Sequence, residues 1–453
     1  MIRENNLVMK KQKVDVVIRY EHKVRELESI MLIKLEMERR GYSVAFTANY
    51  DYRDKRRIDP RLIVSPAIYS DNQLLTDIFR YGLKKKFVNL LWEQVMGIKE
   101  EESPDGYHNV YGTAQRIVTI CWGNNTKRRL IAAGMNENCA KVIGQLNTDL
   151  LRSPFAKNLC TKHELSAKYG IDSNRRWNLF VSSFSYCALD NNQKETIIRI
   201  RGEKYLNEFA LISEQSREQI LQWFEQLLLN YPEDILIYRP HPDEAKKSQK
   251  LKDLERTYSN FRVITDLSMK QWVNACDKVY NWYSTGIIDA YILKKPIRLL
   301  RPFVIPKEYD YRLYYNANQI KTIDAFLEDY PSMDLKEGLD EQVISDYYHI
   351  PQRHVYMEVC DLMEEMLKSD KYNIHYTIKE YRYFIPLILR RKIIDSFDFL
   401  EPVVRKLHLF KGVIGRRDQL KKDLDAGFNK NVATNKEIEE TSSQLKPFVY
   451  GNN

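Results

Sequence analysis

Few residues in this chain have both the type and the setting to do chemistry, and the clearest is His241. It stands in Arg239-Pro240-His241-Pro242, directly after the apolar run Ile235-Leu236-Ile237-Tyr238. Two prolines can neither continue a strand nor begin a helix by ordinary propensity, so the chain must turn with His241 fixed at a strand's carboxyl end. Open α/β sheets bind ligands at that end. Further along, the strand-like Lys278-Val279-Tyr280-Asn281-Trp282 opens into Ser284-Thr285-Gly286 and a helix carrying Asp289. Small hydroxyl residues and a glycine at a helix start present N–H groups and partial positive charge, which suits a phosphate. A turn-filling histidine and a plain N-cap are the other readings of these pieces. Their order and spacing after apolar strands favour a nucleotide site.

The elements that must position these groups follow from hydrophobic pattern. Val14 to Tyr20 is a β-branched run suited to a buried parallel strand, followed by a helix to Arg40 that Gly41 stops. Leu27, Ile30, Met31, Leu35 and Met37 give that helix its apolar residues. Strands are expected at 43–47, 61–64, 87–91, 116–121 and 142–144, with helices at 71–85 and from Asn125 to Ala133. The polar segment between Trp92 and Gly112 is a place for substrate contacts. A second series opens with a short helix at 162–169 and a strand at 178–183. A polar loop with a small helix is expected over 186–212, then an amphipathic helix over 214–229 with Ile220, Trp223, Phe224, Leu227 and Leu228 on one face. Strands at 235–239, 261–265, 278–282 and 296–300 alternate with helices at 269–276 and 286–293. Two successive βα series with a cleft between them is the expected architecture: an α/β protein of two Rossmann-like domains with a C-terminal helical extension.

Length and composition agree. The chain has 453 residues, 43% apolar, with a net charge of +9 and a pI near 8.9. That is too long for one ordinary core, and a mild basic excess suggests an anionic partner. Six cysteines lie far apart with no CxxC pair, which fits reduced cytoplasmic thiols that hold no metal. The polar first thirteen residues do not read as a secretory signal, and no apolar run of eighteen residues occurs. Walker, GxGxxG, HExxH and GxSxG patterns are all missing, which removes the familiar ATP, NAD, zinc-protease and hydrolase readings. Over 382–422, eleven Lys and Arg face four Asp and Glu, a balance of +7, interleaved with residues such as Phe384, Ile385, Leu389 and Phe397. That pattern fits either an interfacial region on an anionic membrane or helices packed on the body with their charges in water. It is not a recognised nucleic-acid reader, so no nucleic-acid partner is expected. The expected divisions are 1–165, 170–335, a helical segment 336–425 and a mobile tail 426–453.

Several pieces in one order resemble the bacterial surface-carbohydrate, or capsule polysaccharide, biosynthesis glycosyltransferases of the GT-B type. This group is related to capsule Kdo transferases, bacterial polysialyltransferases and CDP-glycerol phosphotransferases. Tyr20-Glu21-His22-Lys23-Val24-Arg25-Glu26-Leu27 resembles the family's opening E-x-K-x-R-E-L turn. Leu91-Trp92-Glu93-Gln94 stands where the family carries an acidic motif, and Trp122-Gly123 with Gly144 to Leu151 resembles its W-G … G-x-P-R-x-D-L-L run. Arg239 to Pro242 and Ser284-Thr285-Gly286 complete the set, which spans roughly residues 14 to 300. The proline and arginine of the Gly144 run are missing, and the acidic motif keeps only Glu93.

The resemblance implies a metal-independent glycosyltransferase with no cofactor. It would be cytoplasmic or peripheral at the inner face of the plasma membrane. Its donor would be a nucleotide-activated sugar, a CMP-sugar in first place, and its acceptor an oligosaccharide or lipid-linked polymer. His241 would contact or protonate the leaving phosphate, with Arg239 adding charge. Ser284, Thr285 and the Gly286 amide would bind phosphate, and Asp289 would reach the ribose. The acceptor hydroxyl needs a base. Glu93 is the first choice and Glu21 the second, with Arg25 at the acceptor or in an ion pair at the helix start. A CDP-glycerol or CDP-ribitol phosphotransferase and a non-catalytic assembly protein are the alternatives.

Overall fold

The β-branched run that opens the chain forms β1 (Gln12–Tyr20), and its neighbours assemble around it as a parallel sheet. A computed structural model describes residues 11–49, 51, 58–245, 249–335, 338–406 and 431–451, without the side chains of 243, 245 and 393–406. In chain order the first sheet contains β1, β2 (Val44–Ala48), β3 (Ile58–Ser65), β4 (Lys86–Asn89), β5 (Val118–Cys121) and β6 (Ala140–Val142). They lie side by side as β2-β1-β3-β4-β5-β6, so the order reverses beside β1. The core under this sheet joins Val17, Ile63, Ile78, Phe87 and Leu130 to Phe384, a residue made much later in the chain.

That late contribution is general in this unit, which comprises residues 1–94, 103–149 and 348–453. The helix Lys23–Arg39 buries ten of its residues, among them Ile30, Met31, Leu32, Ile33 and Met37. A helix apolar on that many sides needs cover on more than its sheet face. The helices Val355–Lys368 and Asn435–Tyr450 supply it.

The second unit, residues 95–102 and 150–347, is nearly continuous. Its six parallel strands are β7 (Trp177–Val181), β8 (Ile235–Arg239), β9 (Phe261–Val263), β10 (Lys278–Asn281), β11 (Ile297–Leu300) and β12 (Gln319–Ile320). They are ordered β12-β11-β10-β7-β8-β9, with the reversal between β10 and β7. The helix Leu211–Asn230 lays Ile220, Trp223, Phe224 and Leu227 into an aromatic core with Phe180, Tyr238, Tyr280 and Phe326.

Three expectations need correction. The segment 186–212, expected as a loop with a small helix, is mostly helix: loop as far as Asp190, then Asn191–Arg201, which Asp190 caps in a reciprocal box with Gln193, and helix again from Glu203. No residue of Asn191–Arg201 is buried, so that helix has no core face to announce it. The tail expected to be mobile forms the helix Asn435–Tyr450, with Leu445 and Val449 buried and a capping box between Thr434 and Glu437. The units divide at 149/150 and 347/348, not near 165 and 335, because the segment from 348 returns to the first sheet. Of the basic stretch 382–422, residues up to 406 lie in the helix Ile378–Lys406, and 407–422 fall outside the described residues.

Candidate functional site

In the second unit the strand order reverses between β7 and β10, and such a switch opens a crevice beyond the carboxyl ends of the strands. His241 follows β8 by two residues and Ser284 follows β10 by three. Their strands flank β7 on either side, about 10 Å apart at ordinary strand spacing. Both groups are half-buried at the same edge of one sheet.

The corner that carries His241 is held from both sides. Arg239 donates from Nη1 to the Asp266 carbonyl at 2.8 Å and from Nη2 to the Leu267 carbonyl, gripping the loop that follows β9. Beyond the second proline, Glu244 is fully buried. It accepts from Arg217 Nε at 2.6 Å, from the Tyr238 hydroxyl at 2.8 Å and from the Ser182 hydroxyl. The sequence did signal this pair. Arg217 falls three residues before Ile220 on the apolar face of its helix, and a cation there requires a buried carboxylate.

Ser284 and Gly286 are arranged differently from the expectation. The helix after them, Ile287–Ile292, has only six residues, so its dipole is small. The Ser284 N–H donates to Asn281 Oδ1 at 2.7 Å, and the Gly286 N–H donates to Ser284 Oγ at 3.3 Å. Buried Asn281 also donates to the Ser284 carbonyl at 2.9 Å, and Tyr314 donates to the same carbonyl at 2.6 Å. The Ser284 and Gly286 N–H groups thus help close the turn, and Ser284 and Thr285 are both half-buried in it. A Cβ on Gly286 would meet the end of the flexible Met269 side chain, which would have to move aside. Asp289 is half-buried, and burial pushes its carboxyl up to about 6 against the opposing pull of Lys270.

In the first unit the switch lies beside β1, and Glu21 is the residue directly after it. The Glu21 N–H donates to Glu26 Oε2 at 2.9 Å. Fully buried Glu26 also accepts from Arg25 Nη2 at 2.8 Å. Arg25 extends from there to Glu93 Oε1 at 3.2 Å, and His108 Nε2 meets Glu93 Oε2 at 3.1 Å. The structure therefore brings together Arg25 and Glu93, and adds His108, which the sequence reading missed. The His108 bond, then the Arg25 charge, hold the Glu93 carboxyl at about 2 although burial opposes them. Tyr69 and Tyr107 set their ring edges against the His108 ring, and Arg129 grips the His108 carbonyl at 3.2 Å. Glu93 follows Leu91, whose φ of 47° is unusual for a branched residue. Gln94 fixes the turn by donating to the Leu91 and Ile120 carbonyls at 2.9 and 2.8 Å.

The Gly144 run has a structural purpose. A Cβ on Gly144, at φ 119°, would lie 2.5 Å from the His349 carbonyl oxygen. Asp149, fully buried, caps the helix Val355–Lys368 by accepting from the Val355 and Tyr356 N–H groups at 2.9 and 2.7 Å. Among the described residues, no group of three His, Cys, Asp or Glu is placed to hold a metal ion, and no helix is long and apolar enough to cross a membrane.

Two parallel α/β units, each with a switch in strand order, define the fold of the GT-B enzymes. Among solved structures, the wall teichoic acid polymerase TagF, as a variant soaked with CDPG, aligns with 78% of this chain and 89% of its own at a TM-score of 0.52 and 12% identity. TagF without that substitution or soak aligns over the same shares at 0.50 and 11%. A UDP-GlcNAc 2-epimerase from Methanocaldococcus jannaschii covers 78% of this chain and 100% of its own, at 0.48 and 13%. No family model and no curated protein sequence matches the chain. At such identities the likeness establishes the fold.

Proposed function

We propose that this protein is a transferase of cell-surface polymer synthesis that takes its transferred group from a nucleotide-activated donor, a CMP-sugar in the first instance. One observation carries the reading: His241 and the Ser284-Thr285 hydroxyls flank the strand-order switch of a single sheet. In this reading His241 meets the phosphate of the donor and the two hydroxyls hold it. The long Gly286 bond to Ser284 Oγ yields to a phosphate oxygen, Arg239 braces the corner, and Asp289 meets the ribose. As the bond from the sugar carbon to the CMP oxygen breaks, negative charge grows on that phosphate, and fixed donors stabilise it. The acceptor hydroxyl attacks the same carbon and loses its proton to the Glu93 and His108 pair, with Arg25 holding Glu93 in place. Glu21 is the second carboxylate within this reading. Phosphate charge is met by side chains, so turnover should persist in EDTA.

Purified protein titrated with CMP, UDP and GDP should gain thermal stability from CMP, and His241→Ala should abolish the gain. Stabilisation by UDP or GDP alone would refute the CMP assignment. The likeness to TagF soaked with CDPG favours a second reading, a CDP-glycerol or CDP-ribitol phosphotransferase. Its product would contain phosphodiester links, which phosphorus NMR distinguishes from glycosidic ones.

A lipid-linked acceptor would place the protein at an anionic membrane. The helix Ile378–Lys406 supports this: Ile378, Tyr381, Ile385 and Leu389 are exposed along one face, with Arg382 and Arg390 beside them, while Phe384 packs inward. Sedimentation with vesicles containing phosphatidylglycerol, against neutral vesicles, tests it. Equal recovery with both would remove the membrane from the reading.

A further inference from the structure

The corner at His241 is set by buried charge rather than by its own backbone. Pro240 and Pro242 have no N–H to give, so two of the three residues around the imidazole make no donor bond. After the Ser182 N–H to Arg239 carbonyl bond at 3.0 Å closes the sheet, the Arg239 side chain holds the loop after β9 on one side of the corner and the side chain of Glu244 anchors the other. That carboxylate draws together three other segments: the end of β7 through Ser182, β8 through Tyr238, and the helix Leu211–Asn230 through Arg217. Glu244 and Tyr238 are fully buried, and Arg217 and Ser182 are each 6% exposed.

Burying an Arg and Glu pair is poorly explained by stability, because desolvation offsets most of the attraction and apolar residues of similar volume usually do as well. What such a pair gives is one geometry, since its short directional bonds are lost if the chain shifts. We infer that Glu244 and Arg217 are positioning residues that set where the His241 imidazole points relative to the switch between β7 and β10. The inference rests on the reading that His241 meets the donor phosphate.

The test uses the full chain and CMP as the probe, with affinity from calorimetric titration and the His241 imidazole followed by nitrogen-15 NMR. Glu244→Gln leaves Arg217 partly uncompensated and could fail through misfolding. The informative variant is therefore the double replacement Arg217→Met with Glu244→Met, which keeps volume and removes both charges. It should fold with a cooperative melt, lowered only by the Tyr238 and Ser182 hydroxyls that lose their acceptor, yet bind CMP at least tenfold more weakly well below that melt, and CMP should no longer shift the His241 imidazole signal. Wild-type affinity and imidazole shift in that folded double variant, with both lost in His241→Ala, would overturn the positioning role and leave the donor reading intact. Equal CMP binding by wild type and His241→Ala would remove the donor reading and the inference together.

Discussion

Asp289 and Glu93 are two carboxylates moved in opposite directions, and each makes its own prediction. Burial raises Asp289 to about 6, so the folded state holds a proton that the unfolded chain releases near 3.8. Stability therefore falls as pH rises from about 3.8 to 6, and the cost persists at neutral pH. Asp289→Asn should raise the melting temperature at pH 7.5, with the gain vanishing below about pH 4, and weaken CMP binding by about tenfold, roughly one charged hydrogen bond. Gaining stability while losing affinity marks a binding group rather than a packing one. Glu93 is held at about 2, below its ordinary 4.5, so its contribution is complete above 4.5 and is lost as pH falls towards 2. Glu93→Gln should flatten the acid limb of the melting curve in that window. In turnover, Glu93→Gln and His108→Gln should each cost on the order of 10²-fold or more, and the double variant little beyond either single one. Additive losses would separate the two residues. The sequence made Glu93 visible through its neighbours Trp92 and Gln94. His108 stayed hidden because it lies in a polar loop with no periodicity, and only the fold sets it against a carboxylate fifteen positions earlier.

Elements with a clear pattern were legible. The strand at 235–239 and the helix at 162–169 stand at the expected residues, because an apolar β-branched run and a Thr161 cap with Glu164 are local signals. The helix at 191–201 was legible only as a small helix within a loop, since none of its residues is buried and isoleucines such as Ile198 and Ile200 stay exposed instead of marking a core face. Motif residues carry a further lesson. Gly144 and Asp149 belong to the run that resembles the glycosyltransferase family, yet one lies against a backbone carbonyl and the other caps a helix that starts 206 residues further along the chain. Gly144→Ala should cost about 3 kcal/mol or more, since a carbonyl cannot swing aside as a side chain does. Asp149→Ala should cost about 1–3 kcal/mol, the range of a lost cap and an orphaned buried donor. Both should leave CMP affinity per folded molecule unchanged. A loss of affinity in a well-folded variant would give the run a ligand-binding role.

At the scale of the whole molecule, the α/β class and the two series of strands could be read from alternation, but the division into units could not. Nothing in residues 14–149 shows that Phe384, Leu362 and Leu445 will complete their burial, because cover that arrives from a distant segment leaves no periodic mark where it lands. The helix Asn435–Tyr450 is the clearest case. It brings Asn431 to 3.0 Å from His22 Nδ1, donates the Ala433 N–H to the Tyr20 hydroxyl at 2.9 Å and pairs Glu437 with Lys23. Deleting 431–451 should lower stability by about 3 kcal/mol or more, the transfer term for Leu445 and Val449 alone, and raise binding of a hydrophobic dye. An unchanged melting temperature would mean that the helix only rests on the surface. The discontinuity of the first unit also has a bearing on synthesis. A ribosome delivers the opening sheet and its apolar helix early, then makes all but a short piece of the second unit, and only afterwards supplies the segments that cover them. The second unit can close as it emerges, whereas the first must wait half-clothed, so newly made chains should lean on chaperones chiefly through their earliest-translated third.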